Sequence, residues 1–290
     1  MTQSTTKRTQ TTGIALVAAG AIGFSAAIIF ARSIDGLNAA VITGFRALAG
    51  FLFFSLLIPA YPHILRVRRY RSDLPRLLGL SVTLGATAVL YIHAVRTTTA
   101  ANAVLLNNTA PLYVALLSPR LLNEARPRHT WPSLALALIG TALLTALTGL
   151  PPTEGEWTGI GAGLLSGLTL GLTLLTSRRL GRQVDGLIQG WWSMGVVALL
   201  TLPITLAASR SAVARNLPPL ALMGVFAFGL PYLLYFLGLQ RINAQAGSLV
   251  ALLEPVSGVV IGALLYQERP SIWGGIGILL ILASIYLISK

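Results

Sequence analysis

Residues 240–273, QRINAQAGSLVALLEPVSGVVIGALLYQERPSIW, decide how the rest of the chain is read. They form an apolar run rich in small residues, interrupted in its middle by Glu254-Pro255 and closed by Glu268-Arg269-Pro270. A carboxylate at the centre of an apolar span is costly, so its presence points to function. An earlier copy occupies residues 96–127, RTTTAANAVLLNNTAPLYVALLSPRLLNEARP. Pro111 stands to Glu124 as Pro255 stands to Glu268, and Tyr91 stands to Pro111 as Tyr235 stands to Pro255. The shared offset of 144 residues is close to half the 290-residue chain and predicts a duplicated unit.

Composition sets the class. Hydrophobic residues make up 54% of the chain and charged residues 10%, against about 25% charged in soluble domains. Apolar runs this dense belong in a bilayer. The formal net charge of +13 does not point to nucleic acid, because no basic stretch is interleaved with aromatics on a polar face. With no cysteine, disulfides and thiol chemistry are excluded. The polar start, with Lys7 and Arg8 ahead of a full-length apolar span and no clear cleavage site, predicts an uncleaved first helix.

Spans of about 20 apolar residues cross a bilayer. Ten are predicted: 13–31, 36–58, 75–95, 99–119, 131–149, 157–176, 186–207, 218–238, 244–265 and 272–289. Short connections carry breakers such as Asp35-Gly36, the segment 149–155 and Pro218-Pro219. The fold class is therefore an all-α polytopic membrane protein, since a helix satisfies its own backbone in lipid. Lys and Arg are concentrated in the loops on the N-terminal side, among them Arg66, Arg68, Arg69, Arg71 and Arg182, which predicts that both termini face the cytoplasm. The loop 61–75 is expected on the anionic inner leaflet. The five tryptophans, Trp131, Trp157, Trp191, Trp192 and Trp273, fall near predicted boundaries and read as interfacial anchors.

The repeat reaches further back, with Thr12-Gly13-Ile14 matching Thr158-Gly159-Ile160 and Asp35-Gly36-Leu37 matching Asp185-Gly186-Leu187. The predicted division is 1–150 and 151–290, five spans each. An odd number of spans gives the two halves opposite orientations, the inverted-repeat architecture of many secondary transporters.

At its two Pro-and-Glu stretches the chain resembles the EamA-type ten-helix branch of the drug/metabolite transporter superfamily. The second half carries Glu254-Pro255, Tyr266-Gln267-Glu268-Arg269-Pro270 and Gly274-Gly275. The first half carries Asn108-Thr109-Ala110-Pro111 and Asn123-Glu124, and Gly44-Phe45-Arg46-Ala47 resembles the branch's Arg-bearing second helix. This resemblance implies a ten-helix bundle around a central cavity, with helices 5 and 10 packed outside. It also implies the export of amino acids and related metabolites; aromatic amino acid exporters of the YddG type belong to the branch. One departure is that Asn107-Asn108 stands where the second half has Ala251-Leu252.

Pro111 and Pro255 lack an N–H, which leaves the carbonyls of Asn107 and Ala251 without their usual partners and predicts hinges or packing kinks. Glu254 near the midplane can carry a proton, hold a substrate ammonium or pair with Arg46. Arg46 can receive a substrate carboxylate or serve structurally. Asn107 and Asn108 suit a zwitterion or interhelical bonding. Tyr91, Tyr232 and Tyr235 either line cavity mouths or pack. His93, alone within a span, makes a metal site improbable, and glycine runs such as Gly161-Ala162-Gly163 read as close helix packing. No cofactor, catalytic motif or ATP-binding loop is encoded.

The expected function is secondary export of small amphipathic metabolites, foremost amino acids including aromatic ones, by alternating access in a bacterial-type inner membrane. Proton coupling is open, and a monomer suffices. The alternatives are a multidrug or other metabolite carrier and, more remotely, an intramembrane enzyme.

Overall fold

The computed structural model describes residues 2–60, 70–145, 156–181, 183–267 and 271–289. Glu268, Arg269, Pro270, the segment 149–155, and Arg66, Arg68, Arg69, Arg182 and Lys290 lie outside the described residues, as do the side chains of Lys7 and Arg8.

The described residues form helices and no strand: α1 Thr2–Ser25, α2 Ala27–Ala31, α3 Ala39–Leu57, α4 Leu74–Thr97, α5 Ala100–Asn107, α6 Ala110–Leu122, α7 Thr130–Leu144, α8 Glu156–Leu180, α9 Gly186–Leu206, α10 Arg210–Gly224, α11 Leu230–Leu239, α12 Ala244–Val250, α13 Leu253–Tyr266 and α14 Ile272–Ser289. A π-helical turn, Val225–Gly229, joins α10 to α11. Eight helical segments among the described residues are long and apolar enough to cross a membrane, and Thr130–Leu144 is a shorter apolar helix. The chain is a multi-pass membrane protein.

Every predicted span overlaps a helix, but four details differ. The first helix begins at Thr2, within the stretch read as a polar lead-in. Pro218 and Pro219, read as loop breakers, lie inside α10, which starts at Arg210. That early turn is fastened from outside: Asn216 Nδ2 donates to the Asp35 carbonyl at 2.8 Å, and the Asp35 amide donates back to Asn216 Oδ1 at 3.2 Å. Prolines persist in membrane helices where neighbours supply such support. Third, the match of Asp35 to Asp185 is out of register. Asp185 caps α9 through the Leu187 amide at 2.8 Å, whereas α3 is capped by Asn38 through the Val41 amide at 2.9 Å, and Gly36 makes a left-handed turn at φ +70°. Fourth, span 99–119 is two helices, α5 and α6.

The chain divides into two compact units: Met1–Gly85 with Thr176–Arg241, and Ala86–Leu175 with Ile242–Lys290. In the first unit α3 packs along α9, α1 along α11, and α10 with the π turn against α3. Its core holds Phe54, Leu77, Leu80, Leu180, Met194 and Phe228. Arg178 closes the end of α11, donating to the carbonyls of Leu239 at 3.0 Å and Gln240 at 2.7 Å, where a cation complements the helix terminus. Buried Asp73 is paired by Arg76.

In the second unit α7 packs along α14 and α6 against α12. The α7–α14 crossing is close enough that a Cβ on Gly140 would come within 2.8 Å of the Gly277 carbonyl, the small-residue packing that membrane helices use. The start of α12 is held by α6, α7 and the turn between them. Glu124 Oε2 accepts from the Ala244 amide at 3.0 Å, Gln245 Nε2 donates to Ser118 Oγ at 2.8 Å, and Thr130 Oγ1 lies 2.6 Å from Gln245 Oε1. Asn243 caps the same helix through the Ala246 amide. Buried polar groups satisfied at both ends rigidify what they join.

Candidate solute-binding site

The candidate residues fall into two groups, one in each unit. In the second unit they surround two helix breaks. α5 ends at Asn107 and α6 begins at Ala110, with Pro111 in its first turn. α12 ends at Val250 and α13 begins at Leu253, with Pro255 in its first turn. A first-turn proline withholds no hydrogen bond the helix would otherwise make, so both prolines stabilise a restart rather than kink a continuous helix. The Ala251 carbonyl is not left bare as the spacing predicts; it accepts from the Glu254 amide at 3.0 Å in a tight 3₁₀-type turn. Both broken segments end in a left-handed residue, Asn123 at φ 54° and Gln267 at φ 56°, again 144 apart.

Each asparagine is engaged in this conformation. The Ser166 hydroxyl lies 3.1 Å from Asn107 Oδ1 and 2.7 Å from the Gly163 carbonyl. Asn108 Nδ2 donates to the Val104 carbonyl at 3.0 Å, closing the end of α5 locally. Gly167 on α8 lies against this break: a Cβ there would be 2.4 Å from Thr109 Oγ1 and 2.6 Å from the Leu106 carbonyl. Tyr91 is half-buried beside Ala94, Ala103 and Ala162. The Glu254 side chain is exposed in the first turn of α13, and α14, which packs on α13, carries no charged residue over 272–289.

In the first unit the candidates converge on an aromatic cluster. Arg46 sits half-buried in mid-α3 with its guanidinium carbon 4.5 Å from the Phe228 ring centroid. Phe228 meets Tyr232 edge-on at 5.0 Å, and Tyr232 meets Phe24 at 4.6 Å. Tyr235 is only 4% exposed and sits against Gly20 of α1, which makes it a packing residue here rather than a lining one. Trp191 packs on Phe51 at 5.4 Å and donates from Nε1 to Ser55 Oγ at 3.0 Å. It and Trp192 are half-buried, whereas Trp131, Trp157 and Trp273 are exposed, as anchors require. Trp192 Nε1 and Ser193 Oγ are buried without a hydrogen-bond partner among the described residues. Such unmet groups mark where water or a solute would be accommodated.

Phe24 and Phe228 are the residues that sequence reasoning missed. A lone Phe in an apolar span carries no signal, although Gly224 and Gly229, five apart, bracket the turn that presents Phe228. His93 is exposed, and no group of three potential metal ligands occurs among the described residues.

The arrangement has relatives. A solved crystal structure superposes with a TM-score of 0.80 over 99% of this chain and 96% of its own, at 18% identity, a likeness of fold. An uncharacterized transporter of Archaeoglobus fulgidus is 29% identical over 94% of both chains. Another uncharacterized transporter, from Helicobacter pylori, is 26% identical over 84% of this chain and 83% of its own. The threonine/homoserine exporter RhtA of Escherichia coli K12 is 28% identical over 74% of this chain and 70% of its own. The description of the EamA-like transporter family matches residues 11–146 and again 157–290. The chain belongs to the EamA-like transporter family of the drug/metabolite transporter superfamily.

Proposed function

We propose that the protein is a secondary exporter of small amphipathic metabolites, foremost amino acids, aromatic ones included, working by alternating access. The observation that carries this reading is the pair of helix breaks at 107–110 and 250–253, each restarted by a first-turn proline at the 144-residue offset. Broken helices at corresponding places in two halves mark where transporters bind and reorient. Ten crossings in two inverted halves, 1–150 and 151–290, with both termini in the cytoplasm and the protein in a bacterial-type inner membrane, complete the proposal. A monomer suffices for it.

In the first unit Arg46 is the group suited to a solute carboxylate; in the second unit, taken by itself, the Asn107–Asn108 break offers neutral polar contacts and Glu254 suits an ammonium or a coupled proton. A relative that exports threonine and homoserine supports the solute class. The run of Phe24, Phe228 and Tyr232 also suits an apolar drug, which is the second reading.

Purified protein in liposomes, offered a panel of labelled amino acids with and without a pH gradient, tests the proposal. Movement of at least one amino acid is expected, and movement of none removes the solute claim. In the same vesicles Glu254→Gln is expected to abolish accumulation driven by the pH gradient while sparing downhill exchange. Unchanged accumulation at every pH would take Glu254 out of the coupling step.

A further inference from the structure

We propose that Phe228 is the positioning residue that aims Arg46, so that the ring sets the carrier's selectivity for solutes bearing a carboxylate. This rests on the reading of Arg46 given above. An arginine in a membrane interior is expensive, and what holds it determines where its donors point. Here the guanidinium carbon stands 4.5 Å from the Phe228 ring centroid, within the range of a cation–π contact. A planar guanidinium held over a ring face still directs its in-plane N–H groups outward as a fork, the geometry that grips a carboxylate through two bonds.

The ring itself has little freedom. Phe228 is 6% exposed, and Tyr232 meets it at an interplanar angle of 87°. Tyr232 is in turn set against Phe24 of α1 and Phe236 of α11. The chain of contacts from Arg46 through Phe228 and Tyr232 to Phe24 therefore ties α3, the π turn, α11 and α1 together.

The backbone is shaped to the same end. Phe228 sits on the π turn Val225–Gly229, where an extra residue in the turn rotates the next helical turn relative to a plain α-helix; π turns occur frequently at functional sites. This one is laid directly on α3. A Cβ on Gly224 would come within 2.3 Å of Ala49 Cβ and 2.8 Å of the Arg46 carbonyl, and one on Gly229 within 2.9 Å of Phe53 Cδ1 and 3.3 Å of Gly50 Cα. The end of α10 and the turn together thus touch α3 from Arg46 to Phe53, and Phe228 is the residue the turn delivers to the arginine.

The test uses the full chain in proteoliposomes, with L-phenylalanine and L-threonine as solutes and phenethylamine, which lacks the carboxylate, as competitor. Phe228→Leu is expected to raise the KM of whichever amino acid is carried by about tenfold, with the maximal rate within about twofold and inhibition by phenethylamine unchanged. Phe228→Tyr, which keeps the ring face, is expected to restore the wild-type KM. Should Phe228→Leu fail to fold, Phe228→Met, which keeps much of the volume without the ring, carries the same expectation.

A KM raised by Arg46→Gln but untouched in Phe228→Leu and Phe228→Met overturns the positioning role alone. A KM untouched by Arg46→Gln, or a wild-type protein that carries neither amino acid, overturns the Arg46 reading and this inference with it. Parallel loss of amino-acid transport, phenethylamine inhibition and thermal stability would show a packing role and likewise overturn the proposal.

Discussion

Replacing Arg46 with glutamine is expected to cut amino-acid transport, measured as kcat/KM in proteoliposomes, by roughly two orders of magnitude. That is the scale on which removing one partner of a desolvated, hydrogen-bonded charge pair acts, about 2–5 kcal/mol. The position supports a large effect. Arg46 sits in the middle of α3, a 19-residue helix with no other charged residue, and leans on Phe228. Gly224 on α10 is close enough to it that an added Cβ would lie 3.2 Å from Arg46 Cα.

Stability should move little or improve, because glutamine carries no charge to desolvate and its stem still covers the π turn. A thermal unfolding curve in detergent, recorded beside the transport assay, separates the two accounts. Lost transport with an unchanged melting point supports carboxylate recognition. Lost transport with a melting point many degrees lower assigns Arg46 to the scaffold.

The second large effect is expected from Pro111→Ala and Pro255→Ala together. In the structure both prolines occupy first turns, where their missing N–H is not needed, so alanine at either place breaks no backbone hydrogen bond. What alanine changes is the alternative: α5 can run on into α6, and α12 into α13, as continuous helices with regained backbone bonds. The start of α12 is anchored by Glu124, Gln245 and Thr130, so any straightening falls on α13.

Filling in the breaks should therefore slow reorientation while leaving solute recognition intact. The maximal rate is expected to fall roughly tenfold, equivalent to ~1.4 kcal/mol on the reorientation barrier. The KM should stay within about threefold and the melting point should hold or rise. Transport at the wild-type rate in the double variant would mean that the breaks are static packing features.

The sequence and the structure agree most where lipid dictates the answer. Apolar length decides how many helices form, because no other backbone can be left in a bilayer, and so spans such as 186–207 and 272–289 are recovered almost to the residue as α9 and α14. The pairing of Pro111 with Pro255 was also legible from its spacing, and in the structure Thr99 and Asn243 cap α5 and α12 at the same 144-residue offset.

Which face of each helix meets which neighbour was not legible. α14 is apolar around its whole circumference, with no polar stripe to mark its outside, and periodicity cannot orient such a helix. For the same reason Phe228 and Phe24 were indistinguishable from any other apolar residue until the π turn placed one of them on Arg46. The mismatch between Asp35 and Asp185 has a different origin. The Asp-Gly pair is a strong turn signal by itself, and only the hydrogen bond of Asn38 to Val41 shows where the helix starts.

Counterflow is the most direct test of alternating access. Proteoliposomes preloaded with an unlabelled amino acid are diluted into a trace of the same amino acid in labelled form, and internal label is followed with time. A carrier that exposes one site to each side in turn must show a transient accumulation of label above equilibrium, abolished by Arg46→Gln and slowed in the double proline variant. Label that rises monotonically to equilibrium without an overshoot, for every amino acid that crosses, would mean an open pathway and would contradict the account.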